Sequence, residues 1–172
     1  KLLGGRADAS LVAGILKEEI GAIKENDWLV MVQIRIFSFY SKFEPQARIL
    51  KRFGQRLFSY LKKDNIQLEV YLVGDKEMGF LNRKFRGKNK VADVLSFAAD
   101  PKFVYPPSRL KRLGEIYLNI SYVRKNDVNG RKLLMSKLFI HGLLHLLGYT
   151  HRWKRDRIKM ESIENRLIKF YG

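Results

Sequence analysis

The sequence predicts a single α/β domain, on three observations. From residue 31 onward, stretches with the two-residue period of strands alternate with stretches of helical period. At 172 residues the chain has room for one sizeable core, and 46% hydrophobic content is too high for a disordered chain. No run approaches the roughly 20 uninterrupted apolar residues of a membrane span, and no lipidation signal is evident, so no membrane partner is expected.

Residues 1–30 stand apart from this pattern and begin without Met. They read as an extension whose status is open, a gene-boundary artefact or a fused remnant. The plainer alternative is an N-terminal helix in which Ser10 caps Leu11 to Ile23. The domain itself is expected over 31–172. Met31-Val32-Gln33-Ile34-Arg35-Ile36 alternates like a first strand, over 31–37. Ile49, Leu50, Phe53, Leu57, Phe58 and Leu61 mark one face of a helix at about 45–63. Asp64-Asn65 is a turn signal, and Ile66 to Val73 is rich in β-formers. A short helix is expected over Lys76 to Arg86, a strand over Asp93 to Ala98, a proline-bearing loop over Asp100 to Arg112 and a strand over Gly114 to Ile120. Arg131 to Leu147 reads as a long helix and Asp156 to Tyr171 as a closing one.

Thirty-four Lys and Arg against seventeen Asp and Glu leave a net charge of +17, which favours a polyanionic partner and points to nucleic acid. The chain has no cysteine. That excludes a disulfide framework and fits a cytoplasmic protein.

All three histidines fall between residues 141 and 151, in a leucine-rich segment. His141 and His145 are four apart and share one face of an α-helix, so two imidazoles can converge on one ion. Gly148 offers the left-handed conformation that ends a helix, and three residues later His151 can return to the pair. Three nitrogens with an open fourth position form the pattern of a catalytic zinc that keeps a place for water, so one divalent ion, Zn2+, is the expected cofactor. A lone His-x3-His pair on a buried helix would be weak support for a metal; the third His strengthens it.

The spacing His-x3-His-x5-His is also that of the metzincin metalloproteases, whose motif places a general-base Glu after the first His; here that position is Gly142. Residues 141–151 more closely resemble the YbeY family of bacterial metal-dependent endoribonucleases, matching its pattern at every fixed position except Thr150. The block from Leu81-Asn82 through Phe85-Arg86 to Asp93-Val94-Leu95-Ser96-Phe97, and the triplet Gly114-Glu115-Ile116, are similar to that family's other blocks. Asn89, Ala92 and Thr150 depart from the pattern, standing where the family usually has Asp, Thr and Asp. The Thr150 departure bears on whatever orienting role that carboxylate plays, and a weaker site rather than a lost one is expected. Separately, residues 3–15 faintly resemble the end of the barrel cyclase of histidine biosynthesis.

The resemblance implies a small mixed sheet covered by helices, with a zincin-like three-His site on the long helix and the loop after it. It implies cleavage of single-stranded RNA in the maturation and quality control of ribosomal RNA, with ribosomal RNA and the ribosomal subunit or its proteins as partners. It makes Arg86 the candidate catalytic Arg, with His141 beside it as both ligand and catalytic residue. A planar guanidinium can clamp two phosphoryl oxygens as negative charge builds on them. Asp93 and Ser96 are candidates to hold that loop or orient the site, against the plainer reading of a strand-start carboxylate and a packed hydroxyl. Glu115 is a candidate carboxylate near the metal, against a solvent-facing one. With no Glu at 142, the general base is left open between metal hydroxide, a more distant carboxylate and the 2′-hydroxyl of the substrate.

Basic residues cluster at Arg83, Lys84, Arg86, Lys88 and Lys90; at Arg109, Lys111 and Arg112; and at Arg152, Lys154, Arg155, Arg157 and Lys159. The first and third flank the proposed site, as a bound RNA backbone would require. Phe103, Tyr105, Tyr149 and Trp153 are candidates to stack on unpaired bases. Two rivals stand beside this reading. A metallopeptidase fits the ligand spacing but lacks the Glu, and a non-enzymatic ribosome-assembly factor with a structural metal fits the basicity but has only three visible ligands.

Overall fold

The structure, a computed structural model, describes residues 32–63, 65–126 and 131–169. The helix expected from Ser10 and the status of residues 1–30 lie outside them.

Strands β1 (Val32–Ser38), β2 (Ile66–Val73), β3 (Val94–Ala98) and β4 (Lys111–Asn119) form one sheet in the order β1-β2-β4-β3. β1, β2 and β4 are parallel and β3 is antiparallel to β4, so the sheet is small and mixed, as expected. β2 is buried along almost its whole length, which is how a near-continuous apolar strand behaves when covered on both faces.

Five helices cover this sheet. α1 (Glu44–Tyr60) follows a short 3-10 turn at Ser41–Phe43 and carries a proline in its first turn, where the missing N–H costs nothing. Its apolar stripe of Ala47, Leu50, Phe53, Leu57 and Phe58 is buried in the same core as Ile34, Leu68 and Val70. α2 (Asp75–Arg86) covers part of the other face, where Met78 packs with Val73 and Leu95. α3 (Ile120–Asn126) is a short helix, α4 (Arg131–Leu146) the long one and α5 (Lys154–Lys169) the last.

α4 is apolar nearly all round and is packed against α1, β3, β4 and α5, the setting that such a helix requires. Leu138, Phe139, Ile140, Leu143 and Leu144 are all buried, each contributing about 1.5–3 kcal/mol of burial free energy. Gly142 permits this approach: a Cβ there would lie 3.0 Å from Ile116 Cγ2 and 3.3 Å from Val94 Cγ2. The end of α4 is thereby pressed onto β3 and β4.

The boundaries of β4 differ from the sequence reading. β4 begins at Lys111, inside the expected loop, and ends at Asn119; the chain then turns into α3, whose first residue Ile120 was expected in the strand and whose remainder carried no assignment. Ile120, the last residue of the expected strand, is buried with Val123, and the Asn119 side chain accepts the Tyr122 amide at 3.0 Å and starts a helix there. Among the described residues no helix is long and apolar enough to cross a membrane.

Candidate metal centre

The last turn of α4 presents His141 and His145 on one side, both half-buried. The helix then ends as its sequence dictates. Gly148 adopts φ +91°, its amide bonds the His145 carbonyl, and the Tyr149 amide reaches back to the Leu144 carbonyl at 2.9 Å. This turn brings His151, which is exposed, back over the pair. One ring nitrogen from each of the three histidines lies within 4.8 Å of the others.

The outer nitrogens are already committed. His141 Nδ1 donates to Glu164 Oε1 on α5 at 2.7 Å, and His145 Nδ1 donates to the Tyr149 carbonyl at 3.0 Å. Each bond places the proton on Nδ1 and leaves the Nε2 lone pair free, and the two Nε2 atoms meet at 3.1 Å. Burial, then the neighbouring His141, push His145 down to about 4, so its imidazole is neutral at physiological pH. A neutral imidazole at His145, the converging Nε2 atoms and the anchored Nδ1 atoms suit a divalent ion. The three-His group fits a metal.

The sequence profile of the endoribonuclease YbeY family matches residues 40–172. The chain belongs to this family. The endoribonuclease YbeY of Pelagibacter ubique is 37% identical over 149 residues, covering 81% of this chain and 96% of its own length. Those of Buchnera aphidicola and Persephonella marina are 35% and 32% identical, covering 73% and 71% of this chain and 79% and 81% of their own.

Where this chain departs from the YbeY pattern at Thr150, its hydroxyl donates to Asp156 Oδ2 at 3.2 Å. The carboxylate that orients an imidazole is Glu164, which the sequence reading missed. A signal existed: Met160, Ile163 and Leu167 are the buried face of α5, and Glu164 is the charged residue at helical spacing within that face.

Arg86 is the exposed last residue of α2, close enough for its charge to act on His145. Arg83, Lys84, Lys88 and Lys90 are exposed around it. The segment between α2 and β3 is held by two buried asparagines that the sequence reading did not single out. Asn82 Nδ2 donates to the Lys90 carbonyl at 2.7 Å, while Asn119 Nδ2 donates to Asp75 Oδ1 at 2.9 Å and to the Ala92 carbonyl at 3.2 Å.

Asp93 stands just before β3, where its Oδ1 accepts the Val94 amide at 2.8 Å. Ser96 pairs with Ile116 in the register of β3 and β4, on the face toward α4. Glu115 belongs on the other face, away from the histidines, beside Glu69 and Phe97, where it accepts the Tyr117 hydroxyl at 2.8 Å. The alternation of β4 puts Ile116 toward α4 and therefore turns Glu115 away.

Arg152, Lys154 and Arg155 are exposed just beyond His151. Of the aromatic candidates, Trp153 and Phe103 are 70% and 63% exposed. Tyr105 lies under the Arg112 guanidinium and Tyr149 packs on the core.

Proposed function

We propose that this chain is a metal-dependent endoribonuclease that cuts single-stranded RNA in the maturation and quality control of ribosomal RNA in the cytoplasm. Its partners in this reading are ribosomal RNA and the ribosomal subunit or its proteins. The observation that carries the reading is the three-His group, with one ring nitrogen of each histidine within 4.8 Å of the others, in a chain of the YbeY family. His141, His145 and His151 would hold one Zn2+, which when bound supplies a Lewis acid that polarises a phosphoryl oxygen and acidifies water. Glu164 and the Tyr149 carbonyl keep two of the imidazoles in the ligating tautomer.

The rest of the work falls to this chain's own cations. Arg86 stabilises the charge that develops on the phosphoryl oxygens. Arg83, Lys84, Lys88 and Lys90 on one side, and Arg152, Lys154 and Arg155 on the other, neutralise the flanking phosphates. Trp153 and Phe103 offer exposed rings to unpaired bases. A peptidase reading is disfavoured at residue 142, a buried Gly pressed against Ile116 and Val94, which supplies no carboxylate to act as general base.

The deciding experiment incubates the purified chain, loaded with Zn2+, with a labelled single-stranded RNA, the matching duplex and a casein-derived peptide mixture. Internal cleavage of the single strand, abolished by a chelator and restored by metal, is expected. Cleavage of peptide but not RNA would overturn the assignment. Binding of RNA should weaken steeply with salt, since each phosphate neutralised on a single strand releases about 0.7 counterion.

A further inference from the structure

Far from the histidines, the sheet ends in β1, and among the described residues no strand pairs with its outer side. This edge is seven residues long, alternating and rich in β-branched residues, the kind of edge that recruits another strand unless something prevents it. The Phe39 amide donates inward to the Leu72 carbonyl. Alternation along the strand therefore turns the amides and carbonyls of Ile34 and Ile36 to the open side.

Beside that edge runs a groove of about 590 Å³ between β1 and α1. Ile34, Ile36 and Ala47 line its apolar part and Arg48 and Lys51 supply positive charge, while Arg35 and Phe37 alternate onto the opposite face of β1. Glu44 is the acidic residue of its lining. Arg48 and Lys51 are exposed, and Arg35 makes only a 3.9 Å contact with Glu69 while its side chain stays 49% exposed.

We propose that this edge is a docking site for an extended polypeptide segment of a partner protein, added to the sheet beside β1, with apolar residues alternating with acidic ones. The main-chain groups favour a strand over a nucleic acid. A phosphate backbone offers acceptors, which leaves the outward carbonyls of Ile34 and Ile36 unmatched, whereas a strand supplies donors and acceptors together. The alternation of the incoming strand sends every second side chain to the α1 side of the sheet, where Arg48 and Lys51 select acidic residues. The side chains between them fall on the opposite face, beside the exposed ring of Phe37. The same charge opposes self-association, because an antiparallel pairing of two copies centred on β1 sets Arg35 opposite Arg35.

The test uses the full chain and a fluorescent eight-residue peptide alternating valine with glutamate. Three comparisons accompany it: the peptide with lysine for glutamate, a fully N-methylated acidic peptide, and a single-stranded RNA oligomer. The acidic peptide should bind and slow hydrogen exchange at the Ile34 and Ile36 amides. Both altered peptides, and the acidic peptide against the double variant Arg48→Glu, Lys51→Glu, should bind at least about tenfold more weakly. Equal binding of the N-methylated peptide would exclude strand addition. RNA that protects Ile34 and Ile36 and displaces the peptide would assign the edge to nucleic acid, and peptide-sensitive dimerisation of the chain would assign it to a second copy. Failure of the acidic peptide to bind at all would also overturn the proposal.

Discussion

The two halves of the candidate site are built in opposite ways. On the histidine side, two imidazoles project from the end of a buried helix, and their outer nitrogens are fixed by Glu164 and by the Tyr149 carbonyl. On the arginine side, Arg86 ends an exposed helix among other exposed cations, and what is buried there is the pair of asparagines that pins the following segment. A metal ligand must be neutral, oriented and partly dry, whereas a residue that meets a phosphate must be charged and reachable. Binding the ion and acting on the substrate should therefore be separable by mutation.

The largest effect is expected from breaking the histidine side. His145→Ala removes one partner of the 3.1 Å Nε2 pair, and two histidines cannot complete a three-nitrogen site. Elemental analysis should find about one divalent ion in the parent and none in the variant, with RNA cleavage lost. Equal metal content in both proteins would dissolve the site.

Breaking the arginine side should leave the metal in place. If the guanidinium stabilises charge that appears only in the transition state, Arg86→Ala costs on the order of a hundredfold in cleavage. Metal content should stay unchanged and RNA affinity should fall only modestly. Arg86→Lys should recover little, because an ammonium cannot make the two-pronged contact. Full cleavage by the Ala variant at matched metal loading would return Arg86 to the ordinary basic surface.

A smaller effect sharpens the histidine side from within. Glu164→Ala removes the acceptor that holds His141 in its ligating tautomer, and metal affinity, read by competition with a chelator, should fall about ten- to a hundredfold. Glu164→Gln keeps an acceptor oxygen and should recover part of the loss. A variant that binds metal as tightly as the parent would show that the packing of α4 alone orients His141.

The same contrast explains what could be read in the sequence. The three-His group was legible because helix geometry converts a spacing of four into proximity, and Gly148 then brings back a third residue within one short segment. The alternation that gave β1, β2 and the long helices is equally local. Glu164 approaches His141 from 23 residues away, and only the packing of α5 on α4 creates that pair. Asn82 and Asn119 hold the arginine side through bonds across 8 and 27 residues, and neither a period nor a motif marks a buried asparagine. Glu115 was left open between the metal and solvent for a related reason, since the face that a strand residue occupies depends on which neighbours lie inward.

The smallest predicted effect lies on the arginine side and is read through pH. Asp75 opens α2, the helix that ends at Arg86. Lys125 at 2.7 Å and then the Asn119 amide hold its carboxyl below the usual carboxylate range. A carboxyl whose folded pKa is lowered binds its proton more readily in the unfolded chain. Its contribution to stability is present above about pH 4 and is lost as the pH falls through the folded value. The pair is well exposed, with Asp75 at 39% and Lys125 at 69%, so screening keeps the effect of Asp75→Asn below about 1 kcal/mol at neutral pH. Denaturant unfolding of parent and variant should therefore differ slightly at pH 7 and converge toward pH 3. The metal affinity of the variant should match the parent at every pH, because the histidine side hangs on α4 and α5. A gap in stability that widened below pH 4 would reverse the sign of the Asp75 contribution. A shift in metal affinity would show that the two halves are coupled through the sheet.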